Sequence, residues 1–182
     1  MSRRYFKDED SIVKAAMEIL ESRITYTEGR MSDAEESGHY FKMKLFGLKH
    51  EVFLVAFLDT GLKLIACEEM ALGTLDGASV YPREIARRCL ELGAGSVILA
   101  HNHPSGNTQP SRADLAITER LAEALKLFDI RVVDHIIAGK LEHNSLRKSS
   151  QLSCWGQLWT SLESTWKTDT GKLKQIALGG ER

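Results

Sequence analysis

Residues 51–60, EVFLVAFLDT, run from Val52 to Leu58 without a polar side chain and stop at Asp59-Thr60-Gly61. A strand with one wet face would alternate apolar and polar residues, so this run is expected to be a strand covered on both faces. The chain must then supply helices for both sides of a sheet. LKLIACEEMALGTL is expected as the hairpin neighbour. PREIARRCLELG puts Ile85, Cys89 and Leu92 on one helical face, opens on Pro82 and closes on Gly93, the pattern of a crossover helix. SVILA is a short β-branched strand that ends at His101, and Pro104-Ser105-Gly106-Asn107 makes the next stretch a loop. A helix is expected from about Ser111, with Leu115, Thr118, Leu121, Ala122 and Leu125 as its buried stripe, and IRVVDHIIAG reads as another strand. The order β-β-α-β-α-β implies an α/β fold. Its mixed β-sheet has flanking helices and a parallel crossover on either side of the central strand. Chemistry is expected beyond the carboxyl end of that strand, where His101 lies.

Outside this block the signals are weaker. Ile12, Val13, Ala16, Ile19 and Leu20 recur at helical spacing after Ser11, which predicts an N-terminal helix over 11–24. A second helix is expected over 34–48 with Tyr40, Phe41 and Leu45 inward. After Gly139 the text turns polar and Ser-rich, with Trp155, Trp159 and Trp166 and one expected helix over 157–166. The expected organisation is an N-terminal helical segment at 1–23, a metal-binding domain at 24–139 and a divergent, poorly ordered tail at 140–182.

At 182 residues the chain is long enough for its own core, and 43% hydrophobic with 27% charged residues is ordinary globular composition. A net charge of −1 gives no basic field, so direct nucleic-acid binding is not expected. Cys67, Cys89 and Cys154 include no C-x-x-C pair, which points to a reducing cytoplasm and to Cys67 and Cys89 as core residues. No signal peptide or membrane span is read.

The chemistry concentrates around His101-Asn102-His103. At a strand end, alternate residues point the same way, so both imidazoles face one point. Seven residues separate His103 from Ser111 and two more separate Ser111 from Asp114, in the first turn of the next helix. Two nitrogens and a carboxylate, with a fourth position left for water, form the ligand inventory of a catalytic zinc site. Such a site also needs a carboxylate to move the proton. Among Glu51, Glu68, Glu69 and Glu84, Glu51 is favoured as general base because it opens the most buried strand. Ser111 is placed to donate a hydrogen bond to the oxyanion. Taken alone, Ser111-Arg112-Ala113-Asp114 also reads as a capping box. Asp134 and His135 fall on opposite faces of their strand, so at most one can face the site and orient a ligand histidine there, and a structural role is favoured for the pair. His39, His50 and His143 show no ligand-like spacing. A deaminase-type zinc site would need His-x-Glu and Pro-Cys-x-x-Cys, and neither is present.

The spacing His-x-His, seven residues, Ser, two residues, Asp resembles the JAMM motif of the JAB/MPN superfamily of zinc metalloproteases, and HNHPSGNTQPSRAD is similar to its bacterial RadC branch. EVFLVAFLD, GTLDGASVYPREIARRCLELGAGSVILAHNHPSG and IRVVDHIIAG extend the resemblance over about residues 24–139. It implies the three-layer fold shared with cytidine deaminases, zinc ligands His101, His103 and Asp114, Ser111 as the motif serine, and Glu51 as the upstream glutamate. It also implies hydrolysis of an amide or isopeptide bond in a protein or peptide substrate. The alternatives are a non-catalytic MPN-type interaction module and the DNA-repair accessory role in the branch's historical label. Little room precedes the domain for the helix-hairpin-helix module of longer relatives. The closing Ser-Phe-aromatic-Glu segment of relatives is not recognised in KLEHNSLRKSSQLSCW, which is expected to be divergent or frameshifted.

Overall fold

The structure, a computed structural model, describes residues 31–72, 80–140 and 142–149, together with helical positions 12, 15, 16 and 19. Its elements are α1 (Ala34–Lys44), β1 (Val52–Leu58), β2 (Leu64–Leu72), α2 (Pro82–Leu92), β3 (Ser96–Asn102), α3 (Arg112–Lys126), β4 (Arg131–Ala138), β5 (His143–Ser145) and the single turn α4 (Leu146–Ser149). The strands form one mixed sheet in the order β2-β1-β3-β4-β5. Only β3 and β4 are parallel neighbours; the other pairs are antiparallel. The expected crossovers are therefore unequal. α3 links adjacent parallel strands, whereas α2 carries the chain from β2 over β1 to β3.

Every residue of β1 and β3 is buried, as expected of strands covered on both sides. Alternation sorts them into two cores. Leu54, Ala56, Leu58, Ile98 and Ala100 pack on one face with Tyr40, Phe41 and Leu45 around α1. Phe53, Val55, Phe57, Val97 and Leu99 pack on the other with Ile85 and Cys89 of α2 and Leu121 and Leu125 of α3. Burying each large apolar side chain stabilises the fold by roughly 1.5–3 kcal/mol. These two clusters make the three layers.

Local signals set the helix ends. Asp33 caps α1 by accepting from the Glu35 and Glu36 N–H groups at 2.6 and 3.2 Å. α1 stops at Lys44, short of the expected residue 48, with Gly47 at φ 76° just beyond it, a conformation favouring glycine. Pro82 opens α2, and Gly93 closes it at φ 65°. In α3 the buried stripe is Asp114, Thr118, Leu121, Ala122 and Leu125; Leu115 is only half-buried because Asp114 occupies the inward position of that turn.

The expected break at Gly139 falls too early. The chain returns as β5, pairing Ala138 with His143 and Ile136 with Ser145, and Leu146 is fully buried. The described residues up to Ser149 belong to one compact unit. Ser145 donates to Asp134 Oδ2 at 2.6 Å, and the Asp134 Oδ1 accepts from the His135 and Arg147 N–H groups. Ser145-Leu146 thus closes the sheet, with a leucine where an aromatic residue was sought. The helix expected over 157–166, the three tryptophans and most of the N-terminal helix lie outside the described residues. Among the described residues, no helix is long and apolar enough to cross a membrane.

Candidate metal centre

β3 delivers His101 fully buried at its end and His103 half-buried one residue past it, both on the face shared with α2 and α3. The first turn of α3 brings Asp114 beneath them. His101 Nε2 lies 3.2 Å from Asp114 Oδ1, His103 Nε2 lies 3.5 Å from Oδ2, and the two Nε2 atoms are 2.9 Å apart. One donor atom from each residue falls within 4.8 Å of the others. The three residues named from their spacing therefore meet at one point.

Ser111 serves Asp114 first. Its N–H donates to Asp114 Oδ2 at 2.6 Å and its Oγ accepts from the Asp114 N–H at 3.1 Å, the reciprocal capping box. Burial pushes the Asp114 carboxyl upward. Contacts with His101, His103 and the Ser111 N–H outweigh it and hold the carboxyl well below the usual range. The neighbouring Asp114 in turn raises the pKa of His103 against its burial.

The hydrogen bonds around the histidines fix their proton positions. Thr118 Oγ1 donates to the Asp114 carbonyl at 2.5 Å, because a carbonyl can only accept. The same oxygen must therefore accept from His135 Nδ1, 2.6 Å away. Burial keeps His135 neutral, its pKa well below the ordinary value. Its Nε2 then carries no proton and accepts from His101 Nδ1 at 2.9 Å. His103 Nδ1 donates to the Asn107 carbonyl at 2.6 Å. Both Nε2 lone pairs consequently point at one another beside a carboxylate. Such a centre takes up either a proton or a metal cation, and its donors fit the latter.

For Asp134 and His135 a structural role was favoured over the orienting of a ligand histidine. The alternation holds, with Asp134 on the opposite face beside Ser145, but His135 faces His101 and orients it. The signal was its parity with Leu99, its partner across β4 and β3.

Asn102, between the two histidines, was not singled out from sequence. Its side chain accepts from the Val52 N–H at 2.8 Å and donates to the His50 carbonyl at 2.9 Å, gripping the backbone on both sides of Glu51. The β1–β3 ladder ends at the Phe53–His101 pair, and Glu51 shares the parity of Phe53 as His103 shares that of His101. Glu51 is half-buried, and its charge contributes to the raised pKa of His103. The other carboxylates weighed from sequence are engaged elsewhere or face away: Glu68 accepts a forked contact from Arg88, Glu84 pairs with Arg87 on the surface of α2, and Glu69 pairs across the sheet with Leu54, which belongs to the opposite core.

The loop after His103 is tied to the sheet by the His103 N–H, which donates to the Ala138 carbonyl at 3.0 Å. Gly139 permits this approach, since a Cβ there would fall 2.7 Å from the Gly106 carbonyl oxygen and from Thr108 Cγ2.

Residues 31–152 match the family described as RadC-like JAB domain. The chain belongs to this family. Its relatives include UPF0758 proteins of Vibrio cholerae, 48% identical over 133 residues, covering 72% of this chain and 83% of the relative. Another, from Acidovorax sp., is 58% identical over 99 residues, covering 54% of this chain and 42% of the relative. A third, from Xanthomonas axonopodis pv. citri, is 46% identical over 128 residues, covering 69% and 57%. The RadC-like chain thus spans about half the length of the latter two relatives.

Proposed function

We propose that this RadC-like domain is a zinc-dependent hydrolase that cleaves an amide or isopeptide bond in a protein or peptide substrate. The observation that carries the reading is the convergence of the His101 and His103 Nε2 atoms and the Asp114 carboxylate, with each imidazole held by an outer hydrogen bond at Nδ1. His101, His103 and Asp114 would hold the ion. Zinc bound there supplies a Lewis acid and lowers the pKa of water to about 7. Glu51, on the same face beyond His103, takes the proton from the attacking water and returns it to the leaving amine. Ser111 Oγ accepts from the Asp114 N–H and still carries its own proton, which it can donate to the carbonyl oxygen of the bond under attack. Buried Phe53, stacked 6.3 Å from the His101 ring, keeps water from the inner side of the imidazole.

A full donor set speaks for hydrolysis over a purely scaffolding role. The cytoplasm is the compartment in which the Cys67 and Cys89 thiols are most at home. Metal analysis of the purified chain and of His101→Ala tests the ion, and turnover of isopeptide-linked and peptide substrates by Glu51→Gln tests the base. Zinc retained with turnover abolished in Glu51→Gln is the expected result. Full turnover in that variant would remove Glu51 from the mechanism, and equal zinc in His101→Ala would remove the centre.

A further inference from the structure

A second cluster of donors lies on the other side of the sheet. Glu35 and His39 are one turn apart on α1, and β5 brings His143 against them. Among the described residues, this is the one group besides the His101 centre in which three such side chains each offer a ligand atom within 4.8 Å of the rest. His143 Nε2 is 3.5 Å from Glu35 Oε2, and the His39 and His143 rings meet edge to face at 5.4 Å.

The helix backbone is shaped for this approach. Gly38 sits in the interior of α1, where glycine is a poorer helix former than any residue but proline. A Cβ at that position would fall 2.0 Å from His143 Nε2 and 2.1 Å from its Cδ2. Gly38 therefore opens a notch that seats the imidazole between Glu35 and His39. The imidazole is mostly buried there, whereas Glu35 and His39 are exposed, so the cluster has a wet outer side.

We propose that Glu35, His39 and His143 form a second binding site for a divalent transition cation, with water filling the open positions. Two imidazoles and a carboxylate suit zinc, copper or nickel and are poorly suited to calcium or magnesium. Lys148 takes one oxygen of Glu35 at 2.6 Å and leaves Oε2 for the cation. Burial, together with the nearby His39, Lys42 and Lys148 and against the pull of Glu35, lowers the pKa of His143, so its imidazole is neutral and available near neutral pH. The bound ion would clip β5, a strand of three residues, to α1. His39 and His143 showed no ligand-like spacing because the partners are 104 positions apart, 143 minus 39.

The test uses the full chain, stripped with a chelator and titrated with Zn2+, with bound metal measured after dialysis. The wild-type protein is expected to hold about two equivalents, and His39→Ala and His101→Ala about one each, with the double variant holding almost none. Gly38→Ala should behave as His39→Ala although it raises helix propensity, and His50→Ala, outside both clusters, should keep both equivalents. Because His39 is exposed, His39→Ala leaves the core intact, and its far-UV circular dichroism should match wild type. If His39→Ala and Gly38→Ala bind as much zinc as wild type, the second site is overturned while the His101 centre stands. A single equivalent lost in His39→Ala and kept in His101→Ala would support the second site and sink the first.

Discussion

Thr118→Val removes one hydroxyl without changing shape, and the proton chain makes its effect calculable. The wild-type hydroxyl is fully buried, donates to the Asp114 carbonyl and accepts from His135 Nδ1. Asp114 keeps its helical backbone bond in the variant, so the group left stranded is the His135 Nδ1–H. An unpaired buried donor costs about 1–3 kcal/mol. His135 can avoid this by moving its proton to Nε2, but that hydrogen then points at His101 Nδ1–H, 2.9 Å away. His101 must in turn move its proton to Nε2, which removes one lone pair from the centre. Either route weakens zinc binding. Loss of an outer-sphere partner typically lowers metal affinity by about 10–100-fold, or about 1.4–2.7 kcal/mol. Competition against a chromophoric zinc chelator reads the affinity, and Thr118→Ser, which restores the hydroxyl, should recover most of it. Affinity in Thr118→Val within twofold of wild type would refute the claim that this chain of bonds sets the His101 tautomer.

Asn102→Ala should cost about 1–3 kcal/mol in urea unfolding, since the buried Val52 N–H and the His50 carbonyl both lose a partner; unchanged stability would show that the clamp around Glu51 holds nothing. Zinc affinity should fall as pH drops through the raised pKa of His103, starting above the ordinary 6.5, because the proton and the metal compete for the same Nε2. In the metal-free protein the sign reverses: His103 contributes stability fully below its unfolded value, and the contribution fades as pH rises through the higher folded value. A zinc affinity that stays flat from about pH 8 to pH 6 would contradict this. Leu146→Ala should cost about 2–5 kcal/mol, the range for fully buried leucines, measured by chemical denaturation; a loss below about 1 kcal/mol would place the closing turn outside the core.

Much of this architecture was legible because its signals are local. The unbroken run of β1, Pro82 and Gly93 at the ends of α2, and the parity of His101 with His103 each follow from one stretch of chain. The hydrogen-bonded grip of Asn102 on either side of Glu51 was not legible, since it depends on which strand pairs with β1 and in what register. His135 was half legible. Alternation showed that at most one member of Asp134-His135 can face the site, but deciding whether either does, and which, required knowing that β4 lies beside β3. The end of the domain was misplaced for a different reason. Polar composition after Gly139 suggested loss of order, yet one buried leucine and one serine bonded to Asp134 suffice to complete a sheet edge.

Capping box and metal ligand were competing readings of Ser111 and Asp114, and the geometry makes them one device. A carboxylate offers two oxygens and about four lone-pair directions. Asp114 Oδ2 accepts the Ser111 N–H while still facing His103, and Oδ1 faces His101. The cap therefore restricts the rotamer of the group that faces both histidines. It also anchors the centre to the start of α3, whose Thr118, one turn further on, begins the chain of bonds that orients His101. Two of the three candidate ligands are thereby held by the same helix, one directly and one through His135. A substitution that frays the first turn of α3 should consequently weaken metal binding more than its modest cost in fold stability suggests.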